Sequence, residues 1–250
     1  MTDKRITLVT GANQGIGFQI AKDFAAAGLT VFVGSRNLAN GEKAAKDIGK
    51  NAHAIQLDVT DQASIDAAAA RIGKEAGHLD ILVNNAAISK IGQPAGTVEE
   101  FIKQSRISVV PLDDLRTIYE TNVFGVVAVT QAMLPLLRKA KGARVVNVSS
   151  GVGSLTRTLG EGGEHLRSIF GMYSASKTAL NAITVGLALD LQPEGITVHA
   201  VCPGYTKTAL NNFQGTKTVE EGAREPVRVA LADPALLTAS YTGAEGPFPW

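Results

Sequence analysis

The sequence predicts an α/β fold, a doubly wound parallel sheet with helices on both faces, and three observations predict it. Short runs of Val, Ile and Leu alternate along the chain with amphipathic segments. The runs are near-continuously apolar, the pattern of strands covered on both faces. The first run passes through a glycine-rich turn directly into a helix-like segment.

Ile6–Thr10 is apolar and β-branched and reads as a buried strand. Gln14–Ala27 carries Ile16, Ile20, Phe24 and Ala27 at helical spacing, and Gly28 stops it. Thr30–Gly34 is the next strand, Gly41–Gly49 a polar helix, Ala54–Val59 a third strand and Gln62–Gly77 an alanine-rich helix. Leu79–Val83 is a strand before Asn84 and Asn85. Asp113–Lys139 is helical but holds Gly125 and Pro135, which predict a break or kink. Arg144–Ser149 is a strand, Tyr173–Leu191 a helix, and Ile196–Cys202 a strand ended by Pro203-Gly204. Glu221–Leu231 reads as a helix and Ser240–Gly243 as a last short strand. With no linker, repeat or low-complexity block, the 250 residues read as one Rossmann-type domain. Ligands then belong outside the carboxyl ends of the strands.

Composition excludes several classes. Lys plus Arg is 24 against 23 for Asp plus Glu, with no basic stripe, which argues against a non-specific nucleic-acid binder. A single cysteine, Cys202, cannot form an internal disulfide or a cysteine-based zinc site. The four histidines are scattered without metal-ligand spacing, so no metal is expected, and His199 reads as a sheet residue. No run approaches the ~20 apolar residues that span a bilayer. The N-terminus lacks the apolar stretch of a signal peptide, so a cytoplasmic location is expected.

The unusual residues collect in the turns. Thr10-Gly11-Ala12-Asn13-Gln14-Gly15-Ile16-Gly17 has the spacing G-x-x-x-G-x-G. Such glycines either pack helix on strand or admit a diphosphate to the helix N-terminus, and the strand-turn-helix context favours the second. The second turn, Gly34-Ser35-Arg36-Asn37, has no acid to bind ribose hydroxyls and offers Ser35 and Arg36, which suits a 2′-phosphate and hence NADP(H). Asp58, beside Val59, could accept from an adenine amino group or cap the next helix, a role for which Asp61 competes. Asn84 and Asn85 either hold backbone and cofactor or make a turn. Tyr173 and Lys177 stand four apart on one helix face, where the ammonium would lower the phenol pKa and make a general acid/base.

Together, Thr10–Gly17, Asn84–Ala87, Asn122, Ser150, Tyr173, Lys177 and Pro203-Gly204 resemble the short-chain dehydrogenase/reductase family, in the family's order from Ile6 to about Thr208. The ending Gly243–Trp250 and the segment Glu220–Arg224 resemble carbonyl-reductase-like members. The resemblance implies that Tyr173 exchanges a proton with the substrate oxygen. Lys177 would hold the nicotinamide ribose and Ser150 the carbonyl oxygen, with Asn122 supporting a water-linked relay through Lys177. Gly11, Asn13, Gln14, Gly15, Ile16 and Gly17 would surround the diphosphate. Ser35, Arg36, Asp58, Val59 and Asn85 would line the adenosine half. Pro203, Gly204, Thr206 and Thr208 would line the carboxamide. Ser150 is chosen over Ser149 because the family's serine usually aligns with the second position of such a pair, and neighbours in a strand face opposite ways, so only one should serve.

The chain departs from the family at Ala87, where glycine is common, and in two long insertions, 91–110 and 153–171. The second, with Gly160, Gly162 and Gly163, is expected to be mobile and to cover the substrate, with an inert surface excursion as the alternative. It precedes the helix on which many family members dimerise, which leaves monomer and homo-oligomer both open. Ile88–Ile91, Leu155–Phe170, Tyr205 and Leu210–Phe213 are the pocket candidates, and their mixed character favours a neutral carbonyl compound. Cys202 reads as a packing residue. The expected activity is NADPH-dependent reduction of a ketone or aldehyde. The alternatives are an NAD-linked alcohol dehydrogenase and a non-catalytic nucleotide sensor.

Overall fold

The computed structural model describes residues 4–89, 98–232 and 238–250. The elements run β1 (Ile6–Val9), α1 (Gly15–Ala26), β2 (Thr30–Ser35), α2 (Leu38–Ile48), β3 (Ala52–Gln56), α3 (Gln62–Glu75) and β4 (Ile81–Asn84). They continue α4 (Val98–Gln104), α5 (Leu112–Tyr119), α6 (Gly125–Leu137), β5 (Arg144–Val148), α7 (Leu155–Leu159), α8 (Glu164–Ser168) and α9 (Met172–Leu191). Then come β6 (Thr197–Cys202), α10 (Val219–Leu231), β7 (Tyr241–Gly243) and β8 (Gly246–Pro247).

The strands form one sheet in the order β3-β2-β1-β4-β5-β6-β7-β8, all parallel except β8, which pairs antiparallel with β7. The chain winds outward from β1 to β3, then returns to the other side of β1 with β4, in register Thr7 to Ile81 and Val9 to Val83. The crevice for a ligand therefore opens where β1 and β4 end.

Alternation along each strand fills two cores. Leu8, Phe32, Leu82, Val145 and Val198 pack on one face against α3, α6 and α9. Val9, Val33, Val83, Val146 and Val201 pack on the other against α1, α2 and α10. A polar chain ties the sheet to the first layer: Asn84 Nδ2 donates to Asn147 Oδ1 (2.9 Å) and Thr130 Oγ1 (3.1 Å), and Asn147 Nδ2 to Thr184 Oγ1 (2.9 Å). His199 is buried in β6, as expected, with Nδ1 2.7 Å from Ser240 Oγ. Buried Arg144 donates to the carbonyls of Val229 and Ala232, satisfying backbone acceptors left open where α10 ends.

Several sequence expectations are corrected here. The third strand lies earlier than Ala54–Val59 and ends at Gln56, so Asp58 and Val59 follow it. Pairing with β2 stops at Ser35, and the chain then turns to enter α3. The long helix breaks as a π turn at Glu120–Phe124, just before Gly125. Pro135 continues the helix, because the carbonyl it leaves unpaired, that of Gln131, is on the exposed side. The combined stretch Leu112–Leu137 passes a length and hydropathy test for a membrane span, yet half of its window is buried in the protein, as suits a core helix. Of the first insertion, residues 91–97 lie outside the described residues and α4 occupies its middle. The second insertion is folded into α7 and α8 rather than an irregular loop. Arg167 donates to the carbonyls of Thr158 and Gly160, and Ser154 Oγ to that of Pro249 at 2.7 Å.

Candidate active site

The turn after β1 is built almost wholly from backbone. Thr10 Oγ1 accepts from the N–H groups of Asn85 and Ala86 at 3.0 Å each, and Asn85 Nδ2 donates to the carbonyls of Thr10 (2.9 Å) and Gly11 (3.2 Å). Gly11 and Gly15 adopt φ of 63° and 58°, and a Cβ on Gly17 would fall onto the Asn85 amide and within 2.6 Å of the Gly11 carbonyl. α1 starts with no side-chain cap from Gln14 and no acid in its first turn. The N–H groups of Gly15, Ile16 and Gly17 are left without partners among the described residues. A bare helix N-terminus of this kind fits a diphosphate. Asn13 and Gln14 border a cleft of about 210 Å³ shared with Asn40 and Lys43.

The expected adenosine contacts divide. Arg36 is exposed and has no ion-pair partner among the described residues. Ser35 is buried, with Oγ spent on the Asn37 carbonyl at 2.7 Å. Asp58 Oδ1 accepts from Thr60 N (3.0 Å) and Thr60 Oγ1 (2.7 Å), Asp61 takes the helix cap, and Val59 is buried. The side chains of Ser35 and Asp58 thus hold their own turns, a local use that short polar side chains favour, whereas Asn85 ties the turn after β4 to the glycine turn after β1.

Across the crevice the site is made of side chains. Ser149 Oγ turns inward to Asn181 Oδ1 (2.5 Å), while the next residue, Ser150, stands near enough to Tyr173 to act on its phenol. Tyr173 and Lys177 rise from the first turns of α9, with Nζ 5.7 Å from the phenol ring centroid and donating to the Val148 carbonyl at 2.8 Å. Burial of Lys177 pulls its pKa down to about 8. The phenol is pushed well above its ordinary value, chiefly by burial and further by the Cys202 thiol beside it, and the Ser150 hydrogen bond opposes this only in part. Burial thus works against the acidifying effect expected of Lys177.

Asn122 lies in the π turn and does not reach Lys177. Its Nδ2 donates to the Ile88 carbonyl (2.8 Å) and Ser176 Oγ (3.0 Å), and its Oδ1 accepts from Ile88 N at 2.9 Å. It straps the segment after β4 to α9. After β6, Pro203 and Gly204 (φ 79°) begin a loop in which buried Thr206 bonds inward to the carbonyls of Pro203 and Gly204. Thr208 comes back to face the glycine turn, its Cγ2 3.4 Å from where a Gly15 Cβ would stand. The pocket candidates Ile88–Ser89 and Leu210 meet, because Ser89 Oγ donates to the Leu210 carbonyl at 2.7 Å, whereas residues 90 and 91 lie outside the described residues. Tyr205 and Phe213 are exposed.

Two contributors escape the sequence reading, Tyr241 and the lining of a second cleft, while Cys202 has the packing surroundings expected of it. Tyr241, from β7, donates to the Ser150 carbonyl at 2.5 Å, its ring stacked on Trp250 and edge-on to Phe248. Cys202 Sγ accepts from the N–H groups of Gly151 (3.1 Å) and Gly204 (3.4 Å), and burial pushes the thiol pKa up, which suits packing rather than nucleophilic work. A cleft of about 350 Å³ opens beside Met172, lined by Phe101, Val109 and Val110 of the first insertion. No local pattern marks these residues, because each reaches the site from a remote part of the chain.

A parallel sheet with an anion-receptive turn at its switch point, faced by a half-buried tyrosine and a buried lysine, defines a dinucleotide-dependent oxidoreductase. Comparison with known proteins agrees. The short chain dehydrogenase family model matches residues 5–219. The chain is 36% identical to the short-chain dehydrogenase anuI of Penicillium roqueforti, covering 91% of this chain and 88% of that one. The solved salutaridine reductase of Papaver somniferum superposes with a TM-score of 0.78 at 30% identity, covering 95% of this chain and 99% of that one. A 3-ketoacyl-(acyl-carrier-protein) reductase from Brucella melitensis complexed with NADH gives 0.80 at 26% identity, with 96% of each covered. The chain belongs to the short chain dehydrogenase family.

Proposed function

We propose that this chain is an NADP(H)-dependent carbonyl reductase that converts a ketone or aldehyde to the alcohol, reversibly. The observation that carries the reading is the Tyr173–Lys177 pair one helical turn apart on α9, with Lys177 Nζ 5.7 Å from the phenol ring and anchored on the Val148 carbonyl, two residues before Ser150. The cofactor supplies the hydride when bound. The chain's residues do the rest. Ser150 and the Tyr173 hydroxyl hold the carbonyl oxygen, and Tyr173 donates its proton there as charge develops. The raised phenol pKa keeps that proton in place at neutral pH. Lys177 binds the nicotinamide ribose and restores positive charge beside the phenol when protonated. The uncapped start of α1 takes the diphosphate, and Gly204 and Thr208 close on it from the other side.

Unpaired Arg36, in a turn without an acid, supports the choice of NADP(H). The NADH in the Brucella melitensis structure supports a second reading, an NAD-linked enzyme working on secondary alcohols. Testing a panel of ketones, aldehydes and secondary alcohols with both cofactors separates them. NADPH-dependent reduction of a ketone or aldehyde is the expected result. Turnover confined to NAD+ and alcohols would reverse the assignment, and no turnover with intact cofactor binding would leave a nucleotide sensor.

A further inference from the structure

The reading above leaves two cations without employment. Arg157, in α7 of the second insertion, is partly buried at the start of the turn that follows Ser150. Its guanidinium lies 4.4 Å over the Phe248 ring, and a Cβ on Gly151 would stand 2.9 Å from one of its terminal nitrogens and 3.6 Å from Cys202 Sγ. Lys217, in the loop after β6, folds back across Gly204, its Nζ 2.8 Å from where a Gly204 Cβ would be. Backbone bonds fix that return: Lys217 N donates to the Tyr205 carbonyl and Lys207 N to the Lys217 carbonyl, each at 2.9 Å. Cys202 Sγ accepts from the N–H groups of Gly151 (3.1 Å) and Gly204 (3.4 Å), so Arg157 and Lys217 stand at the two glycines that this thiol bridges, the first of them next to Ser150. No carboxylate among the described residues pairs with Arg157 or Lys217.

A partly buried guanidinium gives up hydration and needs compensation. The Phe248 face supplies one attractive contact and orients the fork, but it leaves the five donors free. The two cations come from the loops that leave adjacent strands, β5 and β6, at the two glycines that the thiol bridges. A neutral substrate, expected from the sequence, would leave both uncompensated.

We propose that Arg157 and Lys217 form an oxyanion receptor at the substrate end of the cleft, so that the carbonyl compound reduced carries a carboxylate or a phosphate. The proposal rests on the carbonyl-reductase reading and names its substrate class. Arg157 gives the directional, two-pronged contact and Lys217 the point charge.

The test compares 4-acetylbenzoate and 4-acetylphenyl phosphate with neutral 4-acetylbenzamide, using NADPH. The expected kcat/KM for at least one anion exceeds that of the amide tenfold or more, and the better anion identifies the group. Arg157→Met lowers the anion-to-amide ratio at least tenfold, and Arg157→Lys lowers it less. In the unmodified protein, raising salt depresses the anion and not the amide. A ratio near one, or a ratio untouched in Arg157→Met, overturns the receptor while ketone reduction stands. Lys217→Met should lower the same ratio; a loss of NADP+ affinity with the ratio intact would remove Lys217 from the receptor. Calorimetric titration of benzoate and benzamide into the NADP+ complex reads binding without turnover. Arg157-dependent binding of benzoate by a protein that reduces no ketone would sink the reductase reading and leave the receptor. Equal binding of the two would sink the receptor.

Discussion

The two sides of the crevice are built on opposite plans. On the β1–β4 side, the glycine turn offers backbone N–H groups, and the polar side chains around it, Thr10, Asn85, Ser35 and Asp58, are spent holding the turns in shape. On the β5–β6 side, the working atoms are side chains whose acidity is set by burial: a phenol pushed up and an amine pulled down to about 8. The lesson is that the first side is sensitive to added volume and the second to altered charge or a lost hydroxyl. Arg36 is the exception, a lone exposed side chain on the backbone-built side.

The sharpest way to break this contrast is Tyr173→Phe. Removing the hydroxyl should lower kcat by about 10²–10⁴-fold, the usual share of a general acid, with NADPH affinity intact by fluorescence titration. Turnover within tenfold of the parent would take the phenol out of the proton path. On the other side, Gly17→Ala should cost about 1–3 kcal/mol in stability by denaturant unfolding, since its methyl has no space at the turn. NADPH affinity should fall with it, and an unchanged midpoint would refute the tight fit. Arg36→Ala should raise the KM for NADPH by about 10–100-fold, the worth of a charge-assisted bond, and leave that for NADH nearly unchanged. Equal effects on both cofactors would assign Arg36 to something other than the 2′-phosphate.

The fourth prediction concerns pH. Lys177 loses its proton as pH rises through about 8, whereas the phenol, shifted upward, stays protonated across that range. The kcat/KM for NADPH, which reports the free enzyme, should be level below pH 8 and fall about tenfold per unit above it. A profile flat to pH 10 would make the amine's charge irrelevant. The smallest effect is expected from Tyr241→Phe, which frees the Ser150 carbonyl from its hydrogen bond. A net hydrogen bond of about 1 kcal/mol corresponds to a kcat loss of about fivefold, with the KM for NADPH unmoved. Restoration of the parent rate without that hydroxyl would reduce Tyr241 to packing.

The strand and helix order was legible because burial on two faces demands near-continuous apolar runs, and these are visible in one dimension. Strand alternation said that only one of Ser149 and Ser150 would serve and the resemblance chose Ser150; in the structure the Ser149 hydroxyl is taken up by Asn181. The site was legible only in part. Asp58 and Asn85 follow the right strands, yet Asp58 turns to Thr60 beside it and Asn85 crosses to the Thr10 and Gly11 carbonyls, partners that sequence position does not rank. Asn122 was legible as a polar residue in an apolar helix, but its partners, Ile88 and Ser176, depend on how the π turn meets α9. Tyr241 is 91 residues from the serine it touches, and nothing local to it announces that contact.

By itself the sequence determined the layers, the positive-φ turn and the residue types that carry the chemistry, because periodicity, glycine geometry and functional groups are local properties. Only the tertiary structure decided the burial that raises the Tyr173 pKa, the purpose of the buried carboxamides and the placing of Arg157 and Lys217 at the two glycines bridged by Cys202. Those are set by desolvation and by distances between segments far apart in the chain, and both come into being only when the sheet closes and water leaves.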